Sequence, residues 1–198
     1  MNKPFKNNRN IILILFAITI IPFLIAGYLA QHPEWFQPST NRGELIQPVI
    51  TTERNELEGW DTFSVENIKE LNGRWVLLNI VSKKPCERDC LDAIHKSRQL
   101  RLMMNKDLTR IRRAVVFLAD IDPENLASIW KEDERILRLK AKPELAKTLR
   151  MLIQEAPGND WLILMDPLGN LMMKYRPGFD PYDVKKDLAK LLRISQIG

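Results

Sequence analysis

Two cysteines, Cys86 and Cys90, are the residues whose type and spacing point most directly to chemistry, and they are the only cysteines in the chain. They follow an apolar run, Trp75–Val81, which predicts a buried strand, and they stand where a helix is expected to begin. A helix N-terminus offers unpaired backbone N–H groups and a partial positive charge, and both favour a thiolate over a thiol. A cysteine pair in this place can therefore exchange disulfides or bind a soft metal ion.

The spacing of the two thiols allows a disulfide between them. Helix positions i and i+4 lie on one face about 6 Å apart, within the Cα separation of roughly 4.4–6.8 Å that a disulfide accepts. Cys86 is nearer the predicted helix start, so we expect it to be the attacking thiol and Cys90 to resolve the mixed disulfide. The neighbouring basic residues favour the thiolate and the acidic ones oppose it: Lys83, Lys84 and Arg88 against Glu87 and Asp89.

Three roles for the pair stay open at this point: thiol exchange, metal delivery, and a disulfide that only fixes a loop. A bridge between residues four apart constrains the unfolded chain little, so stability is a weak reason for it. The sequence favours thiol exchange among the three, which makes a thiol-disulfide oxidoreductase one expected class of activity.

A segment without charged residues, Ile11–Ala30, precedes the cysteines and has the length that a helix needs to cross a bilayer. Lys3, Lys6 and Arg9 flank its N-terminal side, and residues 31–40 contain no Lys or Arg. The positive-inside rule then predicts a single-pass anchor in the inner (cytoplasmic) membrane, with the N-terminus inside and the remainder in the periplasm. A cysteine pair in that oxidising space can persist as a disulfide.

A cleaved signal peptide is the competing interpretation of the same segment. Its apolar region should be shorter, about 7–15 residues, and should end in a small-x-small site. Cuts after Gly27 or Ala30 would put Ile25 or Tyr28 at the outer small position, which fits poorly. We therefore expect an uncleaved anchor.

Composition divides the chain into four parts. The stretch after the anchor is rich in Pro, Gln, Asn and Thr and reads as a linker. The following segment of about 140 residues is ample for one hydrophobic core and short for two. The predicted parts are a cytoplasmic N-terminus (1–10), an anchor (11–30), a linker (31–54) and a periplasmic domain (55–198).

The domain is expected to alternate strands with helices. Strands are predicted at Arg74–Val81, Ala114–Ala119, Trp161–Asp166 and Leu171–Tyr175. Helices are predicted over Asp89–Lys106, from Pro123 through Trp130, over Glu144–Glu155 and over Tyr182–Arg193. The β-α-β crossovers imply parallel pairing and the last hairpin an antiparallel edge. This order is that of a thioredoxin-like α/β fold.

The chain resembles the Sco/SenC proteins in Asn72–Leu78 followed by the Cys86-x-x-x-Cys90 pair. The anchor, the linker and a late Asp166-Pro167-Leu168-Gly169 turn occur in the same order. The resemblance implies a membrane-anchored thioredoxin-like factor of cytochrome c oxidase assembly, the biogenesis of a haem-copper oxidase. It further implies thiol reduction or Cu(I) delivery as the activity, and an oxidase subunit or another assembly factor as the partner.

Two departures from this family bear on copper. In the family the thiols sit in a Cys-Pro-x-x-Cys-Pro setting, whereas Glu87 follows Cys86 and Leu91 follows Cys90 here. The family's copper site also takes a His before the late hairpin strand, and the matching region 156–161 contains none. Cys86 and Cys90 are then the candidate copper ligands, with the third ligand unknown.

Few other residues can complete a copper site. The chain has two histidines: His32 beside the anchor, and His95, which lies about 140° round the helix from Cys90. The thioethers of Met172 and Met173 suit Cu(I), but methionine in an apolar strand is more often core. Pro157 stands near the place where thioredoxin-like enzymes put a cis-Pro facing the thiols, and a simple loop Pro fits equally well.

The net charge of +5 is modest for this length, and its basic residues between Lys96 and Arg113 read by default as a solvated helix face. Anionic lipid or an acidic partner could meet that face, whereas nucleic acid is implausible for a domain across a membrane. The sequence shows no Gly-rich phosphate loop and no Ser/His/Asp set. The rival to thiol chemistry is a non-catalytic interaction protein that keeps the fold.

Overall fold

The computed structural model describes residues 8–32, 41–82, 86, 88–118, 133–154 and 161–195. The chain divides into two units, Met1–Thr40 and Asn41–Gly198. The first unit holds one helix among its described residues, α1 (Asn8–Gln31), with Pro22 inside it. Its stretch Asn10–Gln31 is long and apolar enough to cross a membrane, as predicted for Ile11–Ala30.

The second unit is built on a seven-stranded sheet with the order β1-β7-β6-β3-β4-β5-β2 in the described residues. The strands are β1 (Glu44–Thr51), β2 (Leu57–Gly59), β3 (Trp75–Val81), β4 (Ile111–Phe117), β5 (Leu137–Ala141), β6 (Trp161–Met165) and β7 (Asn170–Tyr175). β4 runs parallel to β3 and β5, and the other neighbouring pairs are antiparallel.

Helices cover both faces of this sheet. They are α2 (Thr62–Asn67), α3 (Arg88–Met103), α4 (Pro143–Leu152) and α5 (Pro181–Ile194), with 3-10 turns at Arg54–Glu56, Ile68–Leu71 and Asn105–Arg110. Side chains alternate along β3, so Leu78 packs on one face with Leu149 of α4, and Leu77 packs on the other with Leu100 of α3 and Leu188 of α5. Burial on both faces explains why β3 reads as an uninterrupted apolar run.

The thioredoxin-like α/β fold predicted from the order of elements is confirmed, with three corrections. The predicted linker 31–54 contains β1, which pairs antiparallel with β7. The predicted antiparallel hairpin of β6 and β7 is confirmed, but it does not form the sheet edge, since β1 lies outside β7. β2 and β5 were not predicted at all, and the helix predicted from Pro123 through Trp130 lies outside the described residues.

A buried carboxylate ties the start of the domain to its last helix. Asp187 of α5 is 3% exposed and accepts hydrogen bonds from the backbone N–H groups of Arg42 at 2.8 Å and Gly43 at 2.9 Å. The Tyr175 hydroxyl donates to the same oxygen at 3.1 Å, and burial together with Asp187 raises the pKa of this phenol. The folded domain therefore begins near Arg42, about a dozen residues before the predicted boundary at residue 55.

Candidate functional site

The two cysteines form a disulfide where β3 ends and α3 begins. Their Cα atoms lie 5.3 Å apart, and Cys90 sits in the first turn of α3. Val81, the last residue of β3, is buried beneath them. This is the carboxyl end of the parallel strands β3 and β4, the edge at which open α/β sheets place their ligands.

The two sulfur-bearing residues differ in their burial. Cys90 is 2% exposed and packs with Val81, Ile94 and Phe117 in an apolar cluster, whereas Cys86 is half-buried and lies against the rim of that cluster. An incoming thiol or disulfide can therefore reach the Cys86 side more readily than the Cys90 side. This asymmetry is the one expected of an attacking and a resolving cysteine.

Trp60 forms the rim of the same cluster, and sequence reasoning missed it. Its ring centroid lies 5.3 Å from that of Phe117, and the Lys140 ammonium lies 6.0 Å above it. The backbone N–H of Trp60 donates a hydrogen bond to the Arg138 carbonyl at 2.8 Å, which extends the pairing of β2 with β5. A half-buried aromatic beside a disulfide offers an apolar surface for a partner chain.

Asp61 secures the backbone next to Trp60. Its carboxylate caps α2 by accepting from the Ser64 N–H at 2.8 Å, and it pairs with the buried Arg138 guanidinium. Burial opposes the charge of this carboxylate, but the bonds from Ser64 and Arg138 outweigh that effect, so the pKa of Asp61 lies below its ordinary value. Because the carboxylate stays charged at neutral pH, it holds both the cap and Arg138 in place.

A buried polar network holds α3 against the sheet. Asn79 of β3 donates to the Ser97 hydroxyl at 3.0 Å, and Arg113 of β4 donates to the same hydroxyl at 3.1 Å and to the Ile94 carbonyl at 2.8 Å. Arg113 also pairs with Asp133 at 2.6 Å. Burial lowers the pKa of Arg113, and Asp133 opposes that shift. The network fixes the helix that carries Cys90, so the reading of Arg113 as part of a solvated basic face is wrong.

A model of the transmembrane-like, thioredoxin-like, C-terminal domain family matches residues 75–195, which is more than half of the chain and includes both cysteines. The chain belongs to this family. Among curated proteins, none matches its sequence significantly.

Solved structures similar to this family member include Sco proteins. Apo Sco1 of Thermus thermophilus superposes with a TM-score of 0.53 at 15% identity, over 77% of this chain and 97% of that chain. Yeast Sco1 superposes with a TM-score of 0.51 at 16% identity, over 64% of this chain and 84% of that chain. Yeast Sco1 with copper bound superposes with a TM-score of 0.50 at 15% identity, over 64% of this chain and 83% of that chain. At identities this low the comparison shows a shared fold. The superpositions confirm the predicted Sco-like, thioredoxin-like architecture.

The other residues weighed as copper ligands in this thioredoxin-like domain make contacts of their own. His95 is exposed on α3 and bonds Gln99 at 2.8 Å. Met173 is buried with Tyr175 in the cluster under α5, and Met172 packs at its border; neither cysteine belongs to that cluster. His32 lies in the other unit. Within the described ranges, no group of three or more His, Cys, Asp or Glu side chains is arranged to hold a metal ion.

Several predicted features lie outside the described residues: Lys83, Lys84, Glu87 and Pro157. The start of β6 is described. Trp161, the first residue of β6, pairs with Ile80 near the end of β3 and is fully buried. β6 therefore begins at the same end of the sheet as the disulfide.

Proposed function

We propose that this chain is a membrane-anchored thiol-disulfide exchange factor that serves cytochrome c oxidase assembly through Cys86 and Cys90. The observation that carries the proposal is the disulfide at the start of α3, with one cysteine half-buried and the other buried. In this proposal α1 spans the inner membrane with its N-terminus in the cytoplasm, and the domain faces the periplasm. The basic residues before α1 support that orientation.

The proposed step reduces a disulfide on an oxidase subunit or another assembly factor. The Cys86 thiolate attacks one partner sulfur, the partner S–S bond breaks, and a mixed disulfide forms as the other partner sulfur leaves as a thiolate. The Cys90 thiolate then attacks the Cys86 sulfur and releases the second partner thiolate. The partner gains two electrons and the Cys86–Cys90 pair loses two, so a dithiol reductant on the same side of the membrane must restore the pair.

Residues around the pair favour this step. Cys90 lies in the first turn of α3, where the N-terminal end of the helix stabilises the thiolate that makes the second attack. Trp60 and Cys86 pack against the same apolar cluster, which contains Phe117. The network of Asn79, Ser97 and Arg113 keeps α3 in position as the bond opens and closes.

Cu(I) delivery is the second candidate, and the donor set of two thiolates supports it because soft ligands select Cu(I). Copper would then be cargo that moves between Cys86, Cys90 and a partner site. Thiol exchange is preferred because the half-buried Cys86 and the buried Cys90 differ in the way that an attacking and a resolving cysteine do.

A cellular test separates thiol chemistry from a scaffold that only keeps the fold. The test uses a strain that lacks this gene. We expect the Cys86→Ser, Cys90→Ser double variant to restore less than about a tenth of the oxidase activity that the wild type restores, because it has lost both thiols needed for exchange. The readout is assembled oxidase per membrane protein, with immunoblots showing equal amounts of each chain. His95→Ala, an exposed substitution on the same helix, is the matched control and should restore full activity. Full assembly with the double variant would favour the scaffold.

A further inference from the structure

An arginine-rich cleft of about 390 Å³ lies between α3, the start of β4 and the turn before β5. Neither cysteine lines it, and the proposed function makes no use of Arg98, Arg101 or Arg135. Three carboxylates line its described wall: Glu70, Asp133 and Glu134. Five guanidinium groups line it as well: Arg98, Arg101, Arg112, Arg113 and Arg135. Two positive charges are therefore in excess among the described lining residues.

Two of the three carboxylates in the cleft already pair with arginines, and the third, Glu134, is exposed. Asp133 pairs with the buried Arg113 at 2.6 Å. Glu70 lies 2.9 Å from the Arg112 Nε and 3.8 Å from an Arg135 guanidinium nitrogen. Arg135 itself is mostly exposed, so the Glu70 contact leaves most of its donors open to the cleft.

Arg98 and Arg101 make no ion pair with a carboxylate among the described residues. Arg101 is held by the backbone carbonyls of Ile111 at 3.0 Å and Leu108 at 3.1 Å, which fix the direction of its guanidinium. Burial lowers the pKa of Arg101, the neighbouring Arg112 and Arg135 lower it further, and Asp133 and Glu70 do not compensate. Arg98 and Arg101 therefore add positive charge to the cleft wall that no described carboxylate pairs with.

We propose that this cleft binds a phosphate group through Arg98, Arg101 and Arg135. A guanidinium presents its N–H donors in a planar fork that matches an oxyanion, and converging guanidinium groups can share one phosphate. A phosphate group carries up to two negative charges at neutral pH, which matches the excess of two cations in the described lining. The group can come from a soluble phosphate compound or from the headgroup of an anionic phospholipid.

Calorimetric titration of the full chain with pyrophosphate tests this site, with the chain in micelles of a neutral detergent. We expect the wild-type chain to bind pyrophosphate. The Arg98→Gln, Arg135→Gln double variant should bind it at least about tenfold more weakly, because it loses charge-assisted hydrogen bonds. Arg101 is left intact because its backbone contacts are structural. The control variant Lys147→Gln, Arg193→Gln removes the same charge from exposed positions on α4 and α5 and should bind like the wild type.

Phosphatidylglycerol added to the same micelles distinguishes the two sources. Loss of pyrophosphate binding by the wild type assigns the cleft to a lipid headgroup, and unchanged binding assigns it to a soluble phosphate compound. The proposal is overturned when the wild type does not bind pyrophosphate, or when both double variants bind it equally well. Neither outcome bears on thiol exchange, because Cys86 and Cys90 are unchanged throughout.

Discussion

The Cys90→Ser variant is expected to accumulate as a stable mixed disulfide through Cys86. Cys86 is half-buried and can attack, but the thiol that would release the adduct is gone. With the reduced full chain and excess glutathione disulfide, mass spectrometry should show one glutathione bound per chain. The reduced wild type should instead pass rapidly to the Cys86–Cys90 disulfide and hold little adduct, because Cys90 lies within bonding distance.

The reciprocal variant, Cys86→Ser, provides the rate of adduct formation with which that of Cys90→Ser is compared. Cys86→Ser leaves Cys90, which is 2% exposed within an apolar cluster. Its adduct should form at least about tenfold more slowly than that of Cys90→Ser, because burial blocks access to the thiol. Equal rates for the two variants would contradict the assignment of roles. Absence of any adduct with Cys90→Ser would contradict exchange through Cys86.

Removal of Asp133 is expected to be the most destabilising single change outside the apolar core. Asp133→Ala leaves the Arg113 guanidinium, which is 5% exposed, without its carboxylate partner. Breaking one side of a buried ion pair costs about 3–5 kcal/mol. Urea unfolding of the full chain in neutral micelles, followed by circular dichroism, measures the loss in the free energy of unfolding.

Two further variants test whether the loss of stability comes from the unpaired charge of Arg113. Glu134→Ala removes the neighbouring exposed carboxylate and should change the free energy of unfolding by less than about 0.5 kcal/mol. Arg113→Met combined with Asp133→Ala should recover a large part of the stability, because no buried charge is then left unpaired. A loss for Asp133→Ala as small as that for Glu134→Ala would show that Arg113 does not depend on this pair.

The sequence predicts the disulfide and its setting because both depend on local patterns. The apolar run of β3 is buried on both faces, and the thiols that follow it are close enough in sequence to bond. Cys86 lies before α3 rather than on it, so the expected shared helical face is wrong, although the disulfide forms. Elements that depend on distant partners are harder to predict. β1 buries Ile46 deeply and leaves most of its other side chains exposed, so its composition resembles a linker until β7 is known to lie beside it.

Two residues of the site carry no usable sequence signal. Trp60 packs against the apolar cluster that contains Cys90 because β2 pairs with β5 across a long stretch of sequence. A lone Trp after a three-residue strand does not reveal that pairing. Arg113 lies in a basic run that is typical of a surface. Its burial follows from contacts with Ser97 and with Asp133 twenty residues later, and these exist only in the folded sheet.

The reduction potential of the Cys86–Cys90 pair tests the central claim most directly. The full chain in neutral micelles is equilibrated in a series of dithiol and disulfide buffers of known potential, quenched with acid, alkylated and weighed by mass spectrometry. Thiol exchange predicts a midpoint between about −270 and −120 mV, the range of dithiol pairs that exchange with partners. A midpoint below about −300 mV, as in structural disulfides, would contradict the account and leave a bond that only fixes the start of α3.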